Sequence, residues 1–284
     1  MPVDSLGRWP GSKRWLPVFY PARIPTPSSR GRAFDAFTGA GAMAIHWLRQ
    51  GRRVVMADTN PRLIGCYRAI RDRPGPLVDA LRDLEIRYRL AELAGENEAK
   101  ARFGHIRDEM NGENASTLES AAGFLFVVRA GFNGVYRVNQ SGVCNTPTGK
   151  PAAGKDLVRE VELLELSKLL QRATLHTGDF EGTCDGARRG DVVYFDPPYV
   201  ADKGKPAFVS YAANGFRRAD QKRLASVLRD LDTRGVRWLL SDAATESAGS
   251  VYGLWSVTEV DVRRSCSGKS SGRGTARELL VSNG

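Results

Sequence analysis

The run Asp196-Pro197-Pro198-Tyr199 combines a carboxylate, two residues that lack an amide hydrogen and an aromatic ring. It follows the β-branched and aromatic run 192–195, which predicts a buried strand that stops at Asp196. Because proline has no N–H, the Asp196 carboxylate and the Pro197 carbonyl can present acceptors without a competing donor. Beside Tyr199, such acceptors suit a flat ring with an exocyclic amino group, such as a nucleobase. A strand that ends in an ordinary Pro-Pro turn is the alternative.

A second pattern lies near the start of the chain. The run 33–48 reads as a short apolar strand, a Gly39-Ala40-Gly41 turn and a helix, so that the backbone can approach a ligand at the helix N-terminus. A second strand, 53–57, ends in Asp58, where α/β nucleotide folds place the acid that binds ribose hydroxyls. The two features together predict a site for an adenosine moiety, and a dehydrogenase that binds NAD is one alternative.

These residues must be positioned by an alternating arrangement of strands and helices. Asn60-Pro61 predicts the start of a helix, and residues 74–130 show helical spacing without strands, as expected for an insertion into an α/β domain. A helix over 155–171 and strands over 173–177, 192–196, 236–240, 255–262 and 276–281 complete the predicted sheet. We therefore expect an α/β domain formed by 1–61 and 151–284, with an insertion over 62–150.

The insertion ends in a segment whose composition favours contact with nucleic acid. Residues 131–150 are rich in glycine, asparagine and basic residues, and Phe132, Tyr136 and Arg137 stand among them. This predicts a hairpin that contacts phosphates and stacks on bases, and a plain solvated loop is the alternative. The loop 201–215, after the strand that delivers Asp196, is a candidate lid.

The composition of the chain indicates which kinds of binding partner and metal or disulfide site to expect. The chain of 284 residues has a formal net charge of +10, which fits a polyanionic partner. The four cysteines and three histidines are scattered, so that neither a disulfide framework nor a metal site is predicted. No stretch has the length and apolar character of a membrane span or signal peptide, so we expect a soluble cytoplasmic protein. The Gly268-Lys269-Ser270 run is not a phosphate loop, because a strand follows it where a helix is needed.

Taken in order, Phe37-Thr38-Gly39-Ala40-Gly41, Asp58, Gly178-Asp179-Phe180 and Asp196-Pro197-Pro198-Tyr199 resemble the motifs of the Dam-like (D12, alpha) class of DNA adenine N6-methyltransferases. The match extends from Trp9 to the last strand, and its most specific part is 131–149, which resembles the hairpin of that family. The resemblance implies a Rossmann-like sheet of seven strands with an antiparallel last hairpin, a helical target-recognition insertion and S-adenosylmethionine as the cofactor.

The resemblance also implies roles for individual residues. Gly11 and Lys13 would lie near the amino-acid end of the cofactor, Asp58 at its ribose and Asp179-Phe180 at its adenine. The complete set expected at the cofactor is Trp9, Gly11, Lys13, Asp35, Phe37, Gly39, Gly41, Asp58, Asp179, Phe180 and Asp196. The set expected at DNA is Arg8, Phe132, Asn133, Val135, Arg137, Asn139, Pro147 and Lys150. Within it, Phe132 matches an aromatic that wedges into the base stack, Arg137 an arginine that reads a guanine and Pro147 a proline that touches a thymine methyl.

The expected function is transfer of a methyl group to N6 of an adenine that is flipped out of duplex DNA, with GATC as the expected target. Asp196, Pro197, Pro198 and Tyr199 form the expected catalytic set. Methylation of cytosine N4 or of an RNA amine remains an alternative, as does a catalytically silent DNA-binding module. We expect a monomer that needs no metal and acts in the cytoplasm of a bacterial cell or a phage-infected host. Two segments depart from the family pattern: this chain has Asp35-Ala36-Phe37 where the family usually has Glu-Pro-Phe, and Ser241-Asp242 where it often has Ser-Asn.

Overall fold

The computed structural model describes Leu6 and residues 11–149, 156–200, 216–263 and 275–284. Three residues expected in the binding sites, Arg8, Trp9 and Lys150, therefore lie outside the described residues, as do the expected lid 201–215 and the run 268–270. No helix among the described residues combines the length and apolar character that a membrane span requires.

The described residues form a seven-stranded sheet with the strand order β3-β2-β1-β4-β5-β7-β6. All neighbouring strands are parallel from β3 to β5, whereas β7 runs antiparallel to both β5 and β6. This is the arrangement that the sequence predicted, with each predicted strand found within a few residues of its expected place. The strands are β1 (Arg32–Asp35), β2 (Arg53–Asp58), β3 (Ala173–Thr177), β4 (Val192–Phe195), β5 (Arg237–Ala243), β6 (Ser256–Arg263) and β7 (Thr275–Ser282).

Helices cover both faces of the sheet. The described helices are α1 (Leu16–Phe19), α2 (Ala42–Arg49), α3 (Pro61–Asp72), α4 (Pro74–Ala94), α5 (Glu96–Gly112), α6 (Leu118–Ala130), α7 (Glu160–Leu170), α8 (Phe180–Cys184), α9 (Arg218–Thr233) and α10 (Glu246–Tyr252). Strand β4 shows how the layers form: Val192 and Tyr194 join the core with α2, α3 and α7, and Val193 and Phe195 join the core with α8, α9 and α10. All four side chains are buried, which explains why the strand is apolar throughout.

The insertion is a helical bundle, as its spacing predicted. Helices α4, α5 and α6 pack against one another, and α6 also packs on α3. The rings of Tyr88 and Phe126 lie 5.2 Å apart at the centre of the bundle. A Cβ on Gly123 would lie 2.8 Å from Met110 Cβ, so that this glycine allows α6 to approach α5 closely. Helix α3 contacts both α6 of the bundle and strands of the sheet. The expected border after residue 61, which assigns α3 to the insertion, therefore stays a prediction.

The segment expected to form a hairpin is less regular than predicted. It contains a 3-10 helix, Phe132–Gly134, and two isolated antiparallel bridges, Gly131 to Thr148 and Val138 to Cys144. The side chain of Asn111, in α5, bonds to the backbone of Cys144 as a neighbouring strand would. Its Oδ1 accepts from Cys144 N at 3.0 Å, and its Nδ2 donates to Cys144 O at 2.9 Å. The helical bundle thus supports the hairpin from one side.

Two local expectations need correction. Helix α7 begins at Glu160, because Arg159 adopts a left-handed conformation with a φ of 47°. Its buried face is formed by Leu163, Leu166 and Leu170, whereas Val161, which helical spacing with Leu157 and Leu164 predicts on the apolar face, is 79% exposed.

Candidate active site

Three carboxylates lie at the ends of neighbouring strands. Asp35 ends β1, Asp58 ends β2 and Asp196 follows β4, and β1 pairs with both of the other strands in parallel. The carboxyl ends of parallel strands meet at one edge of the sheet, and the order reverses between β1 and β4, which is where α/β sheets bind ligands. The structure therefore brings together the two patterns that the sequence analysis started from.

Asp196 is held by two donors through one of its oxygens. Lys13 Nζ donates to Asp196 Oδ1 at 2.7 Å, and Ser241 Oγ donates to the same atom at 3.1 Å. Among the described residues, no hydrogen bond reaches Asp196 Oδ2. Burial raises the pKa of Asp196 to about 6, although the Lys13 ammonium opposes that shift. The arrangement fixes the carboxylate and leaves one oxygen available to a ligand.

The N-terminal turn supplies the lysine. Gly11 has a φ of 79°, which favours glycine, and its carbonyl accepts from Lys13 Nζ at 2.9 Å. Lys13 is only 3% exposed, and its ammonium lies 5.0 Å from the centre of the Tyr199 ring. Burial would lower the pKa of Lys13, but Asp196 and Glu278 more than offset it and raise that pKa above its usual value. The lysine that the resemblance placed at the cofactor thus binds the Asp196 carboxylate directly.

The rest of the Asp196-Pro197-Pro198-Tyr199 run surrounds this carboxylate. Pro197 is buried, Pro198 is exposed and Tyr199 is half-buried. Among the described residues, Tyr199 Oη is a buried atom without a hydrogen-bond partner. The ring of Tyr199 therefore offers an aromatic face next to the Lys13–Asp196 pair.

The glycine turn is fixed by Asp58. Asp58 Oδ2 accepts from Gly39 N at 3.1 Å and Oδ1 accepts from Asn60 N at 2.9 Å. Tyr67 Oη donates to Gly39 O at 3.0 Å, so that the turn is held from both sides. Burial raises the pKa of Asp58, and these backbone N–H groups oppose the shift. Asp58 therefore shapes the loop in addition to any contact it makes with a ribose.

Asp35 is the least satisfied of the three acids. It is 2% exposed, and Oδ2 accepts from Ala44 N at 3.1 Å. Among the described residues, Asp35 Oδ1 has no hydrogen-bond partner. Burial, together with the charges of Asp196 and Asp58, raises the pKa of Asp35 to about 8. A buried carboxylate with a free oxygen is a site for a cation or a donor.

An aromatic cluster adjoins the glycine turn. Phe37 stacks on Phe180 with ring centres 5.4 Å apart, and Phe216 meets Phe37 edge-on at 5.9 Å. Asp179 caps α8 by accepting from Glu181 N at 3.0 Å, and it also pairs with Arg223 at 2.9 Å. The residues expected at the adenine of the cofactor thus form one connected group, to which sequence reasoning had not assigned Phe216.

The residues expected at DNA lie on the hairpin with differing exposure. Phe132 is 46% exposed. Asn133, with a φ of 55°, adopts a left-handed backbone conformation at the turn that follows Phe132. The exposed Arg137 donates through Nε to Asn145 Oδ1 at 2.9 Å and through Nη2 to Asn145 O at 3.0 Å. These bonds leave the Nη1 end of the guanidinium available for a base.

The other hairpin residues expected at DNA stabilise the backbone of this segment. Asn139 Oδ1 accepts from Ser141 N and Val143 N, each at 3.0 Å. The Pro147 carbonyl accepts from Phe132 N at 2.9 Å, and Val135 is half-buried. Tyr136, which the sequence grouped with the nucleic-acid contacts, is 2% exposed, because its ring packs 4.8 Å from that of Phe124. Its position corrects that grouping, and Tyr136 anchors the hairpin to the helical bundle.

Sequence reasoning missed several polar residues around Asp196. Ser241 Oγ lies 2.8 Å from Tyr194 Oη as well as 3.1 Å from Asp196, and Glu278 Oε2 lies 3.7 Å from Lys13 Nζ. Asp242 is 1% exposed, and burial raises its pKa to about 7. Of Ser241, Asp242 and Glu278, only Glu278 lies inside a predicted strand, 276–281, and this was the available signal, because an apolar strand interior should not contain a carboxylate without a partner.

No group of three or more histidine, cysteine, aspartate or glutamate side chains in the described parts of the chain is arranged to hold a metal ion. Three cysteines, Cys66, Cys144 and Cys184, are buried there with free thiols.

The sheet, in which the antiparallel β7 lies between β5 and β6, is the one that the sequence resemblance implied. This sheet and the acids at its strand ends are those expected of an α/β methyltransferase. More narrowly, the chain belongs to the D12 class of N6 adenine-specific DNA methyltransferases, whose family model matches residues 9–266. Its activity is site-specific methylation of adenine N6 in DNA.

Individual relatives agree with this membership. A type II methyltransferase of Lactococcus lactis subsp. cremoris is 33% identical, over 97% of this chain and 94% of that protein. A type II methyltransferase of Methanocaldococcus jannaschii is 29% identical over the full length of both chains. The DNA adenine methylase of Vibrio cholerae is 29% identical over 96% of this chain and 94% of that protein.

Proposed function

We propose that the chain methylates a flipped adenine with S-adenosylmethionine as the donor, and that Asp196, Pro197 and Tyr199 hold the reacting base. The observation that carries this proposal is the state of Asp196. One of its oxygens is fixed by Lys13 and Ser241, and no hydrogen bond among the described residues reaches the other. The two prolines that follow remove the backbone donors that would compete for such an acceptor.

The chemistry requires two acceptors for one amino group. Adenine N6 is a weak nucleophile because its lone pair is delocalised into the ring. If Asp196 Oδ2 and the Pro197 carbonyl accept the two amino hydrogens, the lone pair becomes localised on nitrogen, and Tyr199 stacks on the base. As the new N–C bond forms and the donor S–C bond breaks, N6 loses one of these protons, and Asp196 is the group placed to accept it.

The residues at the strand ends fit S-adenosylmethionine, which supplies an electrophilic methyl group when bound. It carries a sulfonium and an ammonium, and the free, buried Oδ1 of Asp35 is suited to a cationic donor. Asp58 offers remaining lone pairs to a ribose, and the half-buried Phe37, supported by the buried Phe180 that stacks on it, offers aromatic surface to an adenine. Gly11, Lys13, Gly39, Gly41 and Asp179 complete the proposed site among the described residues.

We assign DNA reading to the hairpin. Phe132 is exposed for insertion into the base stack, Arg137 is held with one end of its guanidinium free, and Pro147 is exposed beside them. Asn133, Val135 and Asn139 support this surface. Such a set is suited to a duplex, and we propose GATC as the target on the match of Arg137 and Pro147 to the Dam-like hairpin. We further propose that the enzyme acts as a monomer in the cytoplasm.

The test is the substitution Asp196→Ala, assayed by transfer of a labelled methyl group to duplex DNA. We expect a loss of at least about a hundredfold in the transfer rate, because the acceptor that localises the N6 lone pair is gone. Binding of S-adenosylmethionine, measured by calorimetry, should persist. Asp185→Ala, which removes an exposed aspartate after α8, is the matched control and should retain the wild-type rate.

Two outcomes would contradict the proposal. Undiminished transfer by Asp196→Ala would remove this residue from the chemistry. Base analysis of the labelled product that found methylated cytosine, or labelling of RNA in preference to DNA, would contradict the proposed substrate. Sequencing of the methylated duplex gives the target site directly, and a site other than GATC would refute only that assignment.

A further inference from the structure

A buried lysine is shared by two carboxylates from distant parts of the chain. Lys13 Nζ lies 2.7 Å from Asp196 Oδ1 and 3.7 Å from Glu278 Oε2. The side chain of Lys13 is 2% exposed and that of Glu278 is 7% exposed. Among the described residues, Glu278 Oε2 accepts no hydrogen bond, so that its interaction with Lys13 is one of charge.

The reversed direction of β7 explains why Glu278 lies at this edge of the sheet. In the ladder between β5 and β7, Glu278 stands opposite Ala243, the last residue of β5. Because β7 runs antiparallel, a residue near its start lies at the carboxyl ends of the parallel strands. A parallel strand would have brought its last residues to this edge instead.

We propose that Glu278 is a positioning residue that acts on Asp196 through Lys13. Lys13 fixes the orientation of the Asp196 carboxylate, and Glu278 offsets the charge of the ammonium so that Asp196 remains a strong acceptor for the amino hydrogens of the base. The proposal rests on the role of Asp196 proposed above and assigns a function to a carboxylate of the last strand.

The electrostatic argument follows from burial. An ammonium in contact with a carboxylate lowers its affinity for protons and hydrogen-bond donors, and burial strengthens that effect because screening by water is weak. A second carboxylate on the same ammonium acts in the opposite direction. Accordingly, the charge of Glu278 raises the pKa of Asp196 in opposition to Lys13, after the larger effect of burial.

Other groups also face Asp196 and must be held constant in a test. They come from each neighbouring element that the structure describes, and they are Asp35 of β1, Tyr194 of β4, Tyr199 after β4, and Ser241 and Asp242 of β5. None of them is changed in the variants proposed here. A shift in titration between wild type and a Glu278 variant therefore reports the contribution of Glu278.

The experiment measures single-turnover methyl transfer on duplex DNA as a function of pH, with both S-adenosylmethionine and DNA saturating. In Glu278→Gln we expect the plateau rate to fall about tenfold, because Asp196 becomes a weaker acceptor. We also expect the midpoint of the acid limb to move down by about half a pH unit or more, because a negative charge beside Asp196 is lost. Dissociation constants for the cofactor and DNA should change by less than about threefold.

Two comparisons separate this role from a structural one. Lys13→Met removes the opposing charge, so its acid limb should move to higher pH, in the opposite direction to that of Glu278→Gln. Glu259→Gln removes an exposed carboxylate of β6, 59% exposed in its side chain, and should keep the wild-type rate and midpoint. Loss of stability alone would not move the midpoints in opposite directions.

Glu278→Gln leaves Lys13 with less compensation and could fail to fold. In that case Lys13→Met is compared with the double variant Lys13→Met/Glu278→Gln, since removing both partners of a buried pair is better tolerated than removing one. The double variant should titrate at lower pH than Lys13→Met. A wild-type enzyme that transfers no methyl group would refute the proposed function, whereas an active wild type with an unmoved midpoint in the Glu278 variant overturns this inference alone.

Discussion

Gly41, at the start of α2, is a position where one added methyl group should disturb the Gly39-Ala40-Gly41 turn. It has a φ of 79°, and a Cβ built on it would lie 2.7 Å from Tyr67 Oη. Tyr67 is fully buried and donates to Gly39 O, so that its ring cannot move aside freely. Gly51, just after α2, has nearly the same φ, 75°, but nothing within 4 Å of its Cβ. The pair therefore separates backbone strain from steric conflict.

The two substitutions should lower the free energy of unfolding by different amounts, because backbone strain and steric conflict add together at Gly41 but not at Gly51. A left-handed conformation costs an alanine about 1–2 kcal/mol, which is the whole expected effect of Gly51→Ala. Gly41→Ala adds about 1–3 kcal/mol for forcing atoms into a packed core. It adds about 1 kcal/mol more if the hydrogen bond of Tyr67 is lost. The free energy of unfolding should thus fall by about 2–6 kcal/mol for Gly41→Ala.

Urea unfolding of both variants and calorimetric titration with S-adenosylmethionine test this reasoning. Gly51→Ala should bind the cofactor as the wild type does, whereas Gly41→Ala should bind more weakly because the turn is displaced. In the Tyr67→Phe background, which removes the conflicting hydroxyl, the further cost of Gly41→Ala should fall to that of Gly51→Ala. Equal destabilisation by the two alanines in the wild-type background would refute the argument from close packing.

Two further predictions concern DNA reading and pH. Arg137→Ala should relax sequence preference and cost roughly 1–3 kcal/mol at one base pair, measured by methylation rates on a set of substituted duplexes. An equal loss on every sequence would make Arg137 a phosphate contact. Burial raises the pKa of Asp35 from 3.8 to about 8, so its stabilising contribution to the ligand-free protein is present below about pH 4 and is lost as the pH rises through about 8. Asp35→Asn should flatten the decline of unfolding free energy over that interval, and an unchanged slope would show that other groups cause it.

The parts of the fold that follow from local patterns could be predicted from the sequence. Strand β4 is a run of four buried apolar residues that two prolines terminate, and Asn60 caps α3 with two bonds to its side chain, from Arg62 N at 3.0 Å and from Leu63 N at 3.3 Å. The sheet with its antiparallel last hairpin and the membership of the methyltransferase family were also predicted correctly. In each case neighbouring residues, or motifs in a fixed order, carry the signal.

The parts that depend on distant partners could not be predicted in this way. Tyr136 has the composition of a nucleic-acid contact, and only the position of Phe124 shows that its ring belongs to the core. Lys13 and Asp196 are 183 residues apart in sequence, so that no spacing rule connects them. Glu278 precedes the buried Leu279, Leu280 and Val281 in β7, and its proximity to Lys13 becomes visible only when the reversed β7 brings the two together.

The three acids at the strand ends are costly to keep charged in the folded protein. Carboxylates on neighbouring strands repel one another, and burial adds to the cost of their charge. Asp58 is compensated by backbone N–H groups, and Asp196 is compensated by Lys13 and Ser241. Among the described residues, Asp35 Oδ2 accepts one backbone hydrogen bond and Oδ1 accepts none, and its pKa is raised to about 8, further than the value of about 6 for Asp196. A cation bound at this edge would relieve the cost of ionising Asp35, so the binding of a cationic group there should lower the raised pKa of that carboxyl.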